Sequence, residues 1–155
     1  MPRISSSIGV TTSGGAYASG DVVGDEFTLT FPDVVGDGSV ILQGATIVFL
    51  TGGLTAANAA CDVYLYKGSV TAAADNAAFA PSDAESAKLV AVLTFAAANF
   101  LAPLTNNAVA TIQITNWEVP TSAGTLTGVV VTRGAGTLGS TADGTLYLNY
   151  APANR

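Results

Sequence analysis

Histidine is missing altogether from the 155 residues, and cysteine occurs once, at Cys61. The first absence removes the commonest general base, the Ser-His-Asp and Cys-His nucleophile systems, and the usual zinc and haem ligands. The second excludes an internal disulfide. With no histidine to activate it, Cys61 reads as a small buried hydrophobe ahead of an apolar run. Charge is scarce as well, at 10% of residues against about 25% in ordinary soluble domains. The five basic residues, Arg3, Lys67, Lys88, Arg133 and Arg155, are scattered along a chain of net charge −6. That leaves no electrostatic footprint for nucleic acid. No apolar run approaches the ~18–20 residues of a membrane-spanning helix. The opening Met1-Pro2-Arg3 leads into serines and glycines rather than an apolar signal core, so the expectation is folding in a reducing cytoplasm.

What is present is small and apolar. Hydrophobic residues make up 49% of the chain and glycine contributes 17 positions, a composition opposite to that of disordered segments. Length suits one domain that buries roughly 70% of the surface its unfolded chain exposes. The central stretch is 59–95. There Val63 and Leu65 alternate with Tyr64 and Tyr66, and Leu89, Ala91, Leu93 and Phe95 alternate with Val90, Val92 and Thr94. Period-2 alternation describes strands with one face in a core. The second face is also apolar, so something should cover it.

Similar runs occupy 26–31, 40–50, 108–115, 124–133 and 144–150. Pro32 closes the first, and Gly44 inside the second predicts a bulge or a sharp bend. Trp117 and Pro120 mark a corner after the strand at 108–115. Residues 81–88 read as a single helical turn with Ser82 as N-cap and Glu85 three residues on. The sum is about eight short strands separated by turn chemistry. The fold class is therefore all-β, an antiparallel two-sheet sandwich of jelly-roll or Greek-key type. Residues 1–16, rich in Ser, Thr and Gly, read as a flexible N-terminal arm, and 17–155 as one β-sandwich domain.

Candidate sites are few. Asp21, Asp25, Glu26, Asp33 and Asp37 lie close together, as do Asp83 and Glu85. Paired carboxylates serve glycosidases, and 33–37 could offer oxygens to calcium. In glycine-rich turns, however, Asp is expected for its own side-chain to backbone bonds. No catalytic residue, no metal site and no cofactor is expected, and the chain reads as non-enzymatic. Five aromatics, Tyr64, Tyr66, Phe79, Trp117 and Tyr147, are the interface candidates, since aromatic residues anchor protein contacts. Exposed aromatics on a sandwich also stack on sugars, which keeps a carbohydrate-binding module open as the alternative.

The order of 20–31 (GDVVGDEFTLTF), 44–49 (GATIVF), 62–67 (DVYLYK), 75–83 (DNAAFAPSD), 88–95, 126–131 (LTGVVV) and 141–150 (TADGTLYLNY) resembles small virion proteins of tailed bacteriophages, encoded near the major capsid protein. The likeness covers roughly residues 17–150, in order and texture. It implies a capsid decoration (cement) protein that binds capsomers at symmetry axes on the outer shell, with a tail or head–tail module as the other member of the group. The implied partners are the major capsid protein and copies of the chain itself, a homotrimer ahead of a homodimer, with no nucleic acid and no membrane. The implied location is the virion surface, after synthesis in the host cytoplasm. One sandwich face would make the oligomer, while residues 1–16 and 68–80 would grip the shell.

Overall fold

The computed structural model describes residues 2–8, 16–49, 59–71, 74–101, 107–137 and 144–153. Ten strands follow one another among these residues. They are β1 (Arg3–Ile8), β2 (Ala16–Tyr17), β3 (Val22–Thr30), β4 (Ser39–Phe49), β5 (Cys61–Tyr66), β6 (Leu89–Phe95), β7 (Ala108–Pro120), β8 (Thr125–Thr132), β9 (Gly136–Thr137) and β10 (Gly144–Pro152). One helical turn, α1 (Asp83–Ser86), and one 3₁₀ turn (Ala97–Asn99) interrupt them.

Eight of the strands make two four-stranded antiparallel sheets, in the orders β1-β10-β4-β7 and β3-β8-β5-β6, and β2 with β9 forms a short ribbon. Without the ribbon, the chain crosses between the sheets at every step but β5 to β6, and its first and last strands, β1 and β10, lie side by side. This is the double Greek-key winding of a jelly roll. The inner faces meet in one core that includes Ile8, Leu29, Leu42, Ile47, Val63, Leu93, Leu126 and Leu148. Phe31 meets Tyr150 edge-on within it, ring centroids 4.9 Å apart.

The alternation read from the sequence places its faces well. Val63 and Leu65 point inward, as do Ala91, Leu93 and Phe95. Gly44 lies where both of β4's pairings shift register, opposite the step from Gln113 to Trp117 on β7 and the step from Asn149 to Tyr150 on β10. Residues 82–86 form the expected turn, with the Ser82 hydroxyl accepting from Glu85 N–H and the Glu85 carboxylate accepting from Ser82 N–H.

Two expectations need correction. Residues 3–8 are not an arm: β1 pairs antiparallel with β10 from Arg3↔Asn149 to Ile8↔Gly144, and Ile8 is fully buried. Two isoleucines four residues apart, each aligned with an inward residue of β10, suffice to seat this short polar strand at a sheet edge. Residues 9–15 lie outside the described residues. The corner expected at Trp117 is absent too, because β7 continues to Pro120. A three-residue bulge at 114–116, with Asn116 at φ +44°, absorbs the irregularity. Asn is among the residues that tolerate that left-handed conformation best.

Candidate functional site

The two sheets present different outer surfaces, and the difference defines the candidate interface. On the β3-β8-β5-β6 sheet the outward residues Val22, Val129, Val131, Tyr64 and Tyr66 are apolar. Residues 67–71 and 74–88, which join β5 to β6, cover them. This strap contributes Val70 and Phe79 to a second small core, and the Phe79 ring lies 4.6 Å from that of Tyr64, tilted by 46°. Tyr66 ends 1% exposed, and burial pushes its hydroxyl up to about 12. The apolar second face legible in the sequence is thus covered by the chain itself.

The strap is tied at both ends. At the β3 edge, Val22 N–H donates to Ala77 O (2.9 Å), Asn76 N–H to Val22 O (2.8 Å) and Phe79 N–H to Gly20 O (2.9 Å). The Asp75 carboxylate, 7% exposed, accepts from the Tyr17 hydroxyl at 2.6 Å and from Gly24 N–H at 2.7 Å. That amide is turned toward Asp75 by a bulge between Val23 and Phe27, with Gly24 at φ +72°, a conformation glycine adopts without strain. At the β5–β6 end, Glu85 accepts from Thr71 N–H (2.8 Å), Ser82 N–H (2.9 Å) and the Ser82 hydroxyl (2.8 Å). These donors, first of all the Thr71 amide, hold its carboxyl down at about 2. Lys88 Nζ donates to Ser69 O at 2.7 Å.

The outer face of the β1-β10-β4-β7 sheet is different. By register, its outward residues include Ser5, Thr145, Tyr147, Asn149, Ile41, Thr46, Val48, Val109, Thr111 and Gln113. No described element lies across it. The Thr46 and Thr111 hydroxyls sit 3.1 Å apart at its centre. Charge is confined to the margins among the described residues, with Arg3 on β1 and Glu118 on β7. The Arg3 guanidinium stacks 4.1 Å from the Tyr147 ring centroid, a contact that holds a cation flat against the sheet.

The five aromatic candidates therefore divide. Tyr64, Tyr66 and Phe79 come together under and within the strap, Tyr66 presenting no surface. Tyr147 lies on the uncovered face, and Trp117, 41% exposed, stands on the edge strand β7 opposite Leu42. Nothing joins these two groups, which belong to opposite sheets. What the sequence reading missed was the placement of Thr46, Thr111 and Thr145 side by side on the uncovered face. Their signal was present as threonine on the outward phase of three adjacent strands, but strand neighbourhood is invisible without the topology.

The acidic residues are engaged locally. Asp21 accepts from Ala18 N–H at 2.7 Å, Asp33 from the Tyr150 hydroxyl at 3.1 Å, and Asp37 from Ala123 N–H at 3.0 Å. Lys67 lies 3.6 Å from Asp37, and the Ala123 amide together with this cation lowers the Asp37 carboxyl. Asp25 and Glu26 are exposed in the β3 bulge. Asp33 and Asp37 do line a pocket of about 430 Å³ with Val34, Val35, Gly38, Ser39, Pro152 and Ala153. Among the described residues no group of three or more His, Cys, Asp or Glu is arranged to hold a metal ion. Cys61 is buried, and burial raises its thiol far above the usual range, which removes the reactive thiolate. No helix among the described residues is long and apolar enough to cross a membrane. Comparison with protein-family models, with curated proteins and with solved structures finds no significant match for this chain.

Proposed function

We propose that the protein is a non-enzymatic virion component, a decoration protein that stabilises a phage head by laying the outer face of its β1-β10-β4-β7 sheet on the capsomers. The observation that carries this reading is the asymmetry of the sandwich. One sheet has its apolar patch covered by the chain's own strap, whereas the other offers a four-stranded surface that no described element crosses, with charge among the described residues only at its margins. Depletion of charge at the centre with polar residues around it is the composition of a protein contact. A rigid jelly roll with a flat adhesive side needs no catalytic group to do this work. Copies would gather around the shell's symmetry axes, a trimer matching a local threefold.

This assignment moves the gripping surface from where the sequence suggested it. Residues 3–8 are occupied in a sheet, and most of 68–80 is occupied in covering the other one. The test is a charge at the centre of the uncovered face. Thr46→Arg should weaken binding to shells at least about tenfold, as loss of a central contact does, with an unchanged far-UV spectrum. Asp83→Arg, on the strapped side, should bind like the parent. Equal binding by Thr46→Arg and the parent protein would remove this face from the interface.

A further inference from the structure

We propose that the strap of residues 67–71 and 74–88 opens as a unit, separately from the sandwich, and that Glu85 is its acid-sensitive latch. The strap itself brings two apolar side chains to the sheet, Val70 and Phe79, both partly buried, which pack on Val22, Tyr64, Tyr66, Val129 and Val131. Its hold is mostly polar. Glu85 joins the outgoing limb, at Thr71, to the returning limb, at Ser82. Lys88 adds a second tie between the limbs by donating to Ser69 O. Among the described residues, the charged and titratable groups that face it are Lys88 on the returning limb and Tyr66 on β5. Protonation turns the carboxylate from an acceptor of three donors into a group that can serve fewer of them.

The direction with pH follows from linkage. The Glu85 carboxyl sits below its ordinary value when the strap is closed, so its contribution is complete above about pH 4.5 and fades as pH falls toward 2. Opening in that window uncovers Val22, Tyr66, Val129 and Val131, which are buried beneath the strap. The donors to Glu85, on Thr71 and Ser82, belong to the strap, so its protonation leaves the ladders between the sandwich strands in place. Local opening below the global unfolding energy is the behaviour expected of a segment held by few buried apolar contacts.

Hydrogen exchange on Glu85→Gln tests this, read at Asn76 and Phe79. Their amides bond to the β3 edge at the far end of the strap, and the substitution does not touch those bonds. At neutral pH the variant should lose roughly tenfold in protection at both amides, the scale of one lost charge-assisted hydrogen bond. Amides of β5 and β8 should keep parental protection. In the parent, the far-end loss between pH 4.5 and 2 should exceed the loss that Glu85→Gln shows over the same range, with a larger rise in apolar-dye fluorescence. Protection lost only at Thr71 and Ser82 would show a local bond and no latch. Strap and sandwich losing protection together would show that the strap is not a separate unit.

Discussion

At the scale of single residues, the tightest constraint is the pairing of Phe27 with Gly128. The two stand opposite each other on β3 and β8, facing the core. A Cβ on Gly128 would meet the Phe27 ring directly. Glycine is required there by space, since no left-handed backbone is involved. The ring is buried and cannot swing to solvent, so Gly128→Ala should cost about 1–3 kcal/mol, the range for overpacking a core. Urea denaturation measures this, and a variant as stable as the parent would mean that the ring is free to move. The sequence offered Gly128 only as one glycine in LTGVVV. The partner that makes it matter lies about a hundred residues away in the chain, so no local pattern could reveal it.

At the scale of elements, strand existence was legible and strand company was not. Alternation of apolar and polar side chains gave β4, β5, β6, β8 and β10 nearly to their ends, and the Ser82/Glu85 spacing gave α1, because these signals are local. Both edge strands of the β1-β10-β4-β7 sheet went astray. β1 carries only Ile4 and Ile8 inward among serines, so its period is masked by small polar residues, and its seat depends on β10. β7 bends through Asn116 where a corner was expected. The strap escaped for the same reason: its alanines and its two anchoring carboxylates have no period, while the sheet face beneath it was visible as an apolar second phase. β1 supplies the element-scale prediction. Ile8→Ala should destabilise the protein by about 2–4 kcal/mol, as for a fully buried isoleucine. A loose arm would give a change near zero, so the denaturation midpoint distinguishes the two.

At the scale of the whole molecule, the jelly roll separates two kinds of surface. The β3-β8-β5-β6 side carries an apolar patch closed by the chain itself, with Asp75 and Glu85 fastening the cover, beside exposed Thr28, Thr30 and Thr94. The β1-β10-β4-β7 side presents threonine, valine, serine and one cation-capped tyrosine, and no described element crosses it. A shell-binding protein needs one such adhesive side and a second side inert to its neighbours, since two adhesive faces invite open-ended association. The aromatic residues that mark interfaces in sequence divide between the two sheets: Tyr64, Tyr66 and Phe79 serve to seat the strap, while Tyr147 and Trp117 stand on the other sheet.

The most direct measurement is cryo-electron microscopy of empty expanded capsids that lack the protein, after mixing with the purified chain. The account predicts regular density at symmetry axes on the outer shell, with the β1-β10-β4-β7 sheet against the capsomers and the strap facing away. A bare shell would contradict capsid binding itself, and ordered density with the strapped sheet against the shell would contradict the assigned face.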